Sequence, residues 1–338
     1  MKDKRLAYLA LSCAGYIAIW LAVPHLGVFG HPVMMLFFVA VFMLAQLSIT
    51  RWFTSLRLGP VWAAVVMLAA FSATLAIMLF VSAPYVRYVT KDGPLPPIKM
   101  RPGVKPASTI EITLKPSPNA KDGTPKHGGK KITAVRKPAD IGFKLTAFGY
   151  FAGKSRATTG LLIVIGASAL GVLVSLILKH PNIILPVAVF SAMIDVWTVL
   201  TGPTAKAVAN APKLVEAVSV ALPAPGGSYA PISFIGPADV IFFAMFMSAL
   251  YKLGMEPKRT FWIAVPLLTL GMTAVILSGS IPLLGFLFPG LPALTLIGSA
   301  VILGNLKHFK LSRQEYVSVG IVMAILIVIT TIVTFFIR

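Results

Sequence analysis

Residues 233–246 read SFIGPADVIFFAMF and place one carboxylate, Asp239, inside an otherwise apolar run. No lysine or arginine lies within this run, so no close neighbour in the sequence neutralises the acid. A charge that leaves water without a partner costs free energy. An ionisable residue in such a run therefore indicates a functional group in a membrane-embedded helix.

The amino-acid composition indicates a membrane protein. Hydrophobic residues make up 57% of the 338 residues and charged residues only 12%, whereas soluble domains are about a quarter charged. Several apolar runs reach the ~20 residues that a helix needs to cross a bilayer. Backbone groups in lipid must be hydrogen-bonded within their own segment, so these runs are expected to be helices. We therefore predict an all-α polytopic membrane protein.

Charge and cysteine content narrow the classes of ligand. The net charge is +20, but the basic residues cluster in loops, so no nucleic-acid partner is predicted. Cys13 is the only cysteine of the chain, which excludes an intramolecular disulfide and a cysteine-ligated metal centre. The sequence suggests no cofactor and no metal.

Nine apolar segments are candidate transmembrane helices. They are residues 6–23, 32–50, 61–81, 159–178, 183–200, 232–253, 261–284, 286–306 and 316–337. Basic residues precede the first segment and follow the second, fourth, sixth and eighth, so all five groups fall on one side of a membrane. The positive-inside rule then predicts a cytoplasmic N-terminus and a C-terminus outside the cell. The expected location is the cell membrane.

The chain divides at a basic, proline-rich and glycine-rich segment. We predict membrane helices one to three over residues 1–81, an extramembrane insert over 82–158, and a catalytic membrane domain over 159–338. Alternating apolar and polar residues at 109–114 and 131–135 predict short strands in the insert. The insert is therefore expected to be small and β-rich. Its positive charge suits anionic lipid head groups, and a solvated loop is the alternative.

Two acids, Asp195 and Asp239, are the only carboxylates inside the predicted spans. No basic residue lies deep in any span, so a structural ion pair has no partner. Helical rise places the two acids roughly 8 and 10 Å below the outer ends of consecutive helices. Two adjacent carboxyls would share one proton and could act as general base and general acid. This pattern predicts aspartyl-protease chemistry on water.

Small residues and prolines lie near the same depth in the membrane as Asp195 and Asp239. Gly236, Pro237 and Ala238 precede Asp239 directly, and proline opens or bends a helix. The prolines and the glycine of the stretch FPGLPALTLIG are expected to interrupt the regular helix at the outer end of the eighth segment. Pro292 lies roughly 9 Å into this segment. Backbone groups freed at these positions could hydrogen-bond a peptide, whereas each proline taken alone also fits an ordinary helix kink.

Three motifs resemble the presenilin and signal peptide peptidase family of intramembrane aspartyl proteases. SAMIDVWTVLTGP resembles the segment of the first catalytic acid, and IGPADVIFF resembles the Gly-x-Gly-Asp segment of the second. LPAL matches the Pro-Ala-Leu motif as Pro292, Ala293 and Leu294. The resemblance implies that Asp195 and Asp239 are catalytic and that Gly236, Ala238 and the Pro-Ala-Leu residues support the site or the substrate.

The resemblance covers residues 183–306 and also implies a substrate class. Family members cleave transmembrane helices, and YAPISF before Asp239 could add a strand to an unwound substrate. The predicted orientation is similar to signal peptide peptidase, which suggests signal-peptide remnants as substrates. The sequence departs from the family at Ile194, where a tyrosine is usual, and at Ala238, where the second glycine is usual.

Other interpretations stay open at this point. A prepilin-peptidase-like protease also uses two aspartates, and a proton-coupled transporter also carries membrane acids and broken helices. A catalytically inactive scaffold that holds membrane helices is a third alternative. Membrane lipids and transmembrane-helix substrates are the expected partners, with a homo-oligomer or an accessory subunit undecided.

Overall fold

The computed structural model describes residues 2–26, 32–90, 93–100, 107–114, 130–200, 210–225, 231–278 and 293–309, with residues 314, 317, 320 and 321. The chain forms two compact units. One comprises Met1–Thr74 and Gly153–Arg338, and the other comprises Leu75–Ala152. The first unit holds both candidate catalytic acids.

Ten α-helices lie within the described residues. They are α1 Lys2–Ala22, α2 Pro32–Ser55, α3 Pro60–Ser82, α4 Ile141–Phe151, α5 Ser155–Val174, α6 Pro181–Leu200, α7 Pro212–Val218, α8 Pro237–Lys252, α9 Pro257–Ser278 and α10 Ala293–Asn305. Six of them begin with proline, whose fixed φ suits the first helical position and whose missing N–H removes no hydrogen bond there. Short 3₁₀ turns follow α1, α5 and α10.

Six segments of the described chain are long and apolar enough to cross a membrane. They are Lys4–His25, Met35–Ser55, Pro60–Ser82, Ser155–Ile177, Pro181–Thr198 and Pro257–Leu277. The chain is thus largely helical, with the spanning segments of a multi-pass membrane protein and a small sheet. The ninth predicted span, residues 316–337, lies almost wholly outside the described residues, so the count of nine stays a prediction.

The predicted span 232–253 differs from the observed structure at its start. Its first residues form strand β7, Pro231–Ile235, which pairs antiparallel with β6, Val220–Pro223. Gly236 is extended, with φ −63° and ψ 143°, because a residue before proline disfavours the helical conformation. The helix therefore begins at Pro237, two residues before the acid.

Strand β6 is buried against the helices of its unit. Val220 and Leu222 have no exposed surface, and the indole Nε1 of Trp20 in α1 donates to the Ala221 carbonyl at 3.1 Å. The side chain of Trp20 is itself fully buried. The hairpin is therefore fixed to the helical core and leads directly into α8.

Close contact between helices in this unit depends on glycine. A side-chain carbon at Gly171 in α5 would lie 2.5 Å from the Ile241 carbonyl of α8. One at Gly298 in α10 would lie 2.9 Å from the Ala188 carbonyl of α6. Small residues allow such backbone approach, which is how helices pack in lipid without a hydrophobic driving force.

Buried hydrogen bonds tie helix ends together. The side chain of Asn305, which has no exposed surface, donates to Thr260 Oγ1 and accepts from the Glu256 amide, each at 2.8 Å. These bonds connect the end of α10 to the start of α9. A second link joins Ser175 after α5 to Ser248 in α8, with 2.9 Å between the hydroxyl oxygens.

The second unit is an antiparallel sheet with one helix. Its strands are β1 Tyr85–Thr90, β2 Gly93–Pro94, β3 Ile98–Lys99, β4 Thr109–Leu114 and β5 Lys130–Lys137. The order is β2-β1-β5-β4, and β3 also pairs with β1. Tyr88 and Ala134 form its buried face, at 2% and 0% exposure. The small β-rich insert expected from the alternating sequence is confirmed.

Helix α4 starts with a charged cap. Asp140 is its N-cap, and Oδ1 accepts from the Phe143 amide at 2.6 Å while Oδ2 pairs with Arg87 Nη1 of β1 at 2.7 Å. The Phe143 amide and the Arg87 guanidinium hold the pKa of the Asp140 carboxyl below its usual range. The cap thus links the helix to the sheet.

The close packing of α5 on α8 gives a first testable prediction. Gly171→Ala should lower the free energy of unfolding by about 1–3 kcal/mol, because the added methyl group forces α8 away from α5. Gly15→Ala in α1 is the matched control, since no atom lies within 4 Å of its added carbon. Thermal unfolding in detergent should show a lower midpoint for Gly171→Ala alone, and equal midpoints would contradict this packing.

The Asp140 cap gives a pH prediction. Folding lowers the pKa of the Asp140 carboxyl. The stabilisation by the ionised cap is therefore present above the unfolded pKa of about 3.9 and is lost as pH falls through the folded pKa. Amide hydrogen-exchange protection at Phe143 and Lys144 should fall over that window. Asp140→Asn keeps a cap without the charge and should remove the pH dependence. If hydrogen-exchange protection in Asp140→Asn keeps the same pH dependence, a different group causes it.

Candidate functional site

Asp195 in α6 is held by the first turn of α10. Its carboxyl Oδ2 accepts from the Leu294 amide at 2.8 Å, and the Thr295 amide is a second donor. Helix α10 begins at Ala293, so these amides are among the four that have no partner within their own helix. Asp195, which is 9% exposed, therefore caps α10 from a neighbouring helix.

A second hydrogen bond joins the same two helices. The hydroxyl of Thr295 donates to the Ala192 carbonyl at 3.2 Å, one helical turn before Asp195. Together with the close approach at Gly298, it sets the position of α10 along α6. These contacts hold the start of α10, and with it the Leu294 amide, against α6.

Asp239 lies in the first turn of α8. Gly236 is the N-cap, Pro237 the first helical residue and Asp239 the third. The Asp239 carboxyl accepts from the Gly236 amide, which is the side-chain half of a capping box. The side chain is partly buried. The positive end of the helix dipole offsets part of the cost of placing an acid here.

The structure places the two carboxyl groups within range of each other's charge. The charge of Asp195 contributes to the electrostatic environment of Asp239, although 44 positions separate the two residues in the chain. Each acid is bound to the N-terminal amides of a helix, α10 for one and α8 for the other. Two carboxyl groups within hydrogen-bond reach of one water molecule could act on it as general base and general acid.

The other predicted site residues lie at these helix starts. Gly236 caps α8, and Ala238 is exposed in its first turn. Ala293 and Leu294 open α10 and are buried, at 4% and 6% exposure. Pro292 lies outside the described residues.

Sequence reasoning missed a charged cluster beside the hairpin. Arg156 at the start of α5 is 5% exposed and lies 3.8 Å from Glu216 of α7. Its guanidinium carbon is 5.4 Å from the centre of the Phe234 ring in β7. Lys213 also pairs with Glu216, at 2.9 Å. The cluster connects α5 and α7 to the strand that precedes Asp239. In the sequence, its only signal was Glu216, which is one of ten acidic residues in the chain.

A metal site of ordinary composition is not formed by the described residues. In residues 2–309 with their gaps, no three His, Cys, Asp or Glu side chains come together as ligands would.

Comparison with known proteins identifies no relative. No family model, no curated protein and no solved structure matches the chain. The likeness to presenilins and signal peptide peptidases consequently rests on the three short motifs and on the residues that they bring together.

The capping role of Asp195 predicts a difference between two substitutions. Asp195→Ala leaves the Leu294 and Thr295 amides without an acceptor and should cost about 1–3 kcal/mol of unfolding free energy. Asp195→Asn keeps a side-chain oxygen as acceptor and should cost less. Thermal unfolding of both variants in detergent measures the difference. An alanine variant as stable as the asparagine variant would show that the cap contributes nothing.

Proposed function

We propose that this chain is an intramembrane aspartyl endopeptidase, with Asp195 and Asp239 as its catalytic residues. The observation that supports this proposal most strongly is that two lone membrane acids from different helices act on each other electrostatically. One of them is anchored by the amide of Leu294, the last residue of the Pro-Ala-Leu motif. Each motif of the resemblance thus contributes to one site.

The proposed reaction needs one water molecule and one shared proton. The ionised carboxyl takes a proton from water while the protonated carboxyl gives its proton to the carbonyl oxygen of the scissile peptide. The hydroxide oxygen bonds to the carbonyl carbon and forms a neutral tetrahedral diol. The carboxyl that took the proton from water then gives it to the amide nitrogen, while the other carboxyl takes a proton from one hydroxyl of the diol. The C–N bond breaks, and a carboxylic acid and an amine leave. The acids return to sharing one proton.

The substrate we propose is a transmembrane helix that unwinds beside the site. Strand β7 ends at Ile235, four residues before Asp239, and it pairs with β6 on one side. Within the described residues no other strand pairs with β7. An extended peptide could add to this free edge by main-chain hydrogen bonds and reach the acids. Signal-peptide remnants fit the proposed orientation.

The membrane topology is part of the proposal. We propose nine spans in the cell membrane, with a cytoplasmic N-terminus and the C-terminus outside. In this arrangement the starts of α8 and α10 and the hairpin face the outer leaflet. Basic residues at the opposite helix ends support this orientation through the positive-inside rule.

One observation favours an inactive scaffold as a second candidate. Both acids accept amide hydrogen bonds at helix starts, which is a structural role that requires no chemistry. Under this alternative Asp195 holds α6 to α10, and Asp239 caps the start of its own helix, α8. The alternative predicts effects of substitution on stability and none on proteolysis.

Cleavage of a model single-span substrate by the purified chain separates these candidates. Asp195→Asn and Asp239→Asn should each lower the cleavage rate by at least about a hundredfold, since each removes one partner of the acid–base pair. Asp140→Asn, an exposed acid in the β-rich unit, is the control and should cleave normally. An aspartyl transition-state inhibitor should reproduce the loss. Cleavage that survives both substitutions would exclude the assignment, and a folded wild-type chain without activity would favour the scaffold.

A further inference from the structure

Three arginines gather where α1 starts, α2 ends, α8 ends and α9 starts. Arg5 in α1 donates to the Ser55 carbonyl at the end of α2. Arg57, just after α2, donates from Nη2 to the Tyr251 carbonyl in the last turn of α8 at 3.0 Å. We call Arg5, Arg51 and Arg57 the arginine cluster.

Arg51 is held by aromatic rings rather than by an acid. Its guanidinium carbon lies 4.5 Å from the centre of the Phe261 ring in α9 and 5.0 Å from that of Trp52. Tyr8 stacks on Trp52 with 4.7 Å between ring centres. The Nε atom of Arg51 is buried and makes no hydrogen bond with the described residues. Aromatic faces orient a guanidinium but leave its charge available to an anion.

No carboxylate neutralises the arginine cluster among the described side chains. The ion pair near this end of the unit joins Lys307 to Glu256, and none of the described ion pairs includes a cluster arginine. The carbonyls at the ends of α2 and α8 supply only the partial negative charge of a helix terminus. Among the described side chains, the three arginines therefore keep a net positive charge.

Arg57 has a backbone conformation that favours glycine. Its φ is 51°, and it is the only non-glycine residue with positive φ in the described chain. Glycine commonly fills this position after a helix because other residues are strained there. A strained residue at the end of a helix suggests that its side chain is needed for something other than folding.

Exposed aromatic side chains close to the cluster residues in the chain are typical of a membrane interface. Trp62 near the start of α3 is 66% exposed and Trp262 near the start of α9 is 60% exposed, as in the aromatic belts of membrane interfaces. Leu6, next to Arg5, is also 60% exposed. Cations beside exposed apolar residues match an anionic head group that continues into acyl chains.

From this geometry we propose that the arginine cluster binds the phosphate of an anionic phospholipid. Arg51 supplies a planar fork that suits two phosphate oxygens, and Arg5 and Arg57 add charge on either side. Exposed apolar side chains nearby contact the acyl chains. The site is independent of the proposed proteolytic activity. It connects α1, α2, α8 and α9, so bound lipid would stabilise the end of the unit opposite the acids.

Native mass spectrometry of the full chain in detergent tests the site with two lipids. Dioleoylphosphatidylglycerol should bind the wild type more tightly than dioleoylphosphatidylcholine. The double variant Arg51→Gln/Arg57→Gly should bind phosphatidylglycerol at least about tenfold more weakly, since each interfacial cation contributes about fivefold. Lys137→Gln is the control, because Lys137 is an exposed cation in β5 of the second unit and is not part of the cluster, and it should change binding less than twofold.

Each alternative outcome contradicts the proposal in a recognisable way. Equal binding of both lipids, or equal loss in Lys137→Gln, would show that binding needs no arginine cluster. Displacement of phosphatidylglycerol by millimolar inorganic phosphate would assign the site to a free anion. If the double variant unfolds, two single variants replace it. Arg57→Gly relieves the backbone strain, and Arg51→Lys keeps the charge. Arg57→Gly should stay folded and bind about fivefold more weakly, and undiminished binding would reject the site.

Discussion

The hydrogen bonds from the start of α10 to Asp195 are the constraint on which the site depends. An acid in an apolar helix needs a donor or a counter-charge, and no basic side chain pairs with Asp195 among the described residues. Backbone amides at a helix start provide that donor without a second charge. Because the donors belong to another helix, satisfying the acid also fixes α6 against α10. Asp239 meets the same requirement within its own helix, through Gly236.

The rest of the helical unit brings these two helix starts together. Strand β7 is fixed by β6, and α8 begins directly after it, so the hairpin sets where Asp239 enters the bundle. Gly171 brings α8 against α5, while Gly298 brings α10 against α6. Polar groups thus concentrate at helix ends, where backbone amides or carbonyls partner them. The arginine cluster follows the same rule at the opposite end, with carbonyls in place of amides.

The sequence predicted the features that depend on local pattern. Helices α2 and α3 begin within one residue of their predicted starts, because hydropathy along the chain is a local property. The strand at 109–114 followed from its alternation. The start of the sixth span could not be predicted from the pattern, because a short apolar run before Gly236-Pro237 fits a buried strand and a helix equally. The amides of Leu294 and Thr295 lie about a hundred residues from Asp195, so their bond to it depends on tertiary packing that no local pattern encodes. The rings around Arg51 are unpredictable for the same reason.

The central claim is that the side chains of residues 195 and 239 face each other, and crosslinking measures this directly. In a Cys13→Ser background, Asp195→Cys/Asp239→Cys should be joined by a short bifunctional thiol reagent in native membranes. The pair Ser175→Cys/Ser248→Cys, whose hydroxyl oxygens are 2.9 Å apart, is the positive control, and Ser248 lies in α8 like Asp239. Crosslinking of both pairs is the result we predict. Efficient crosslinking of the control pair with none between positions 195 and 239 would contradict the account.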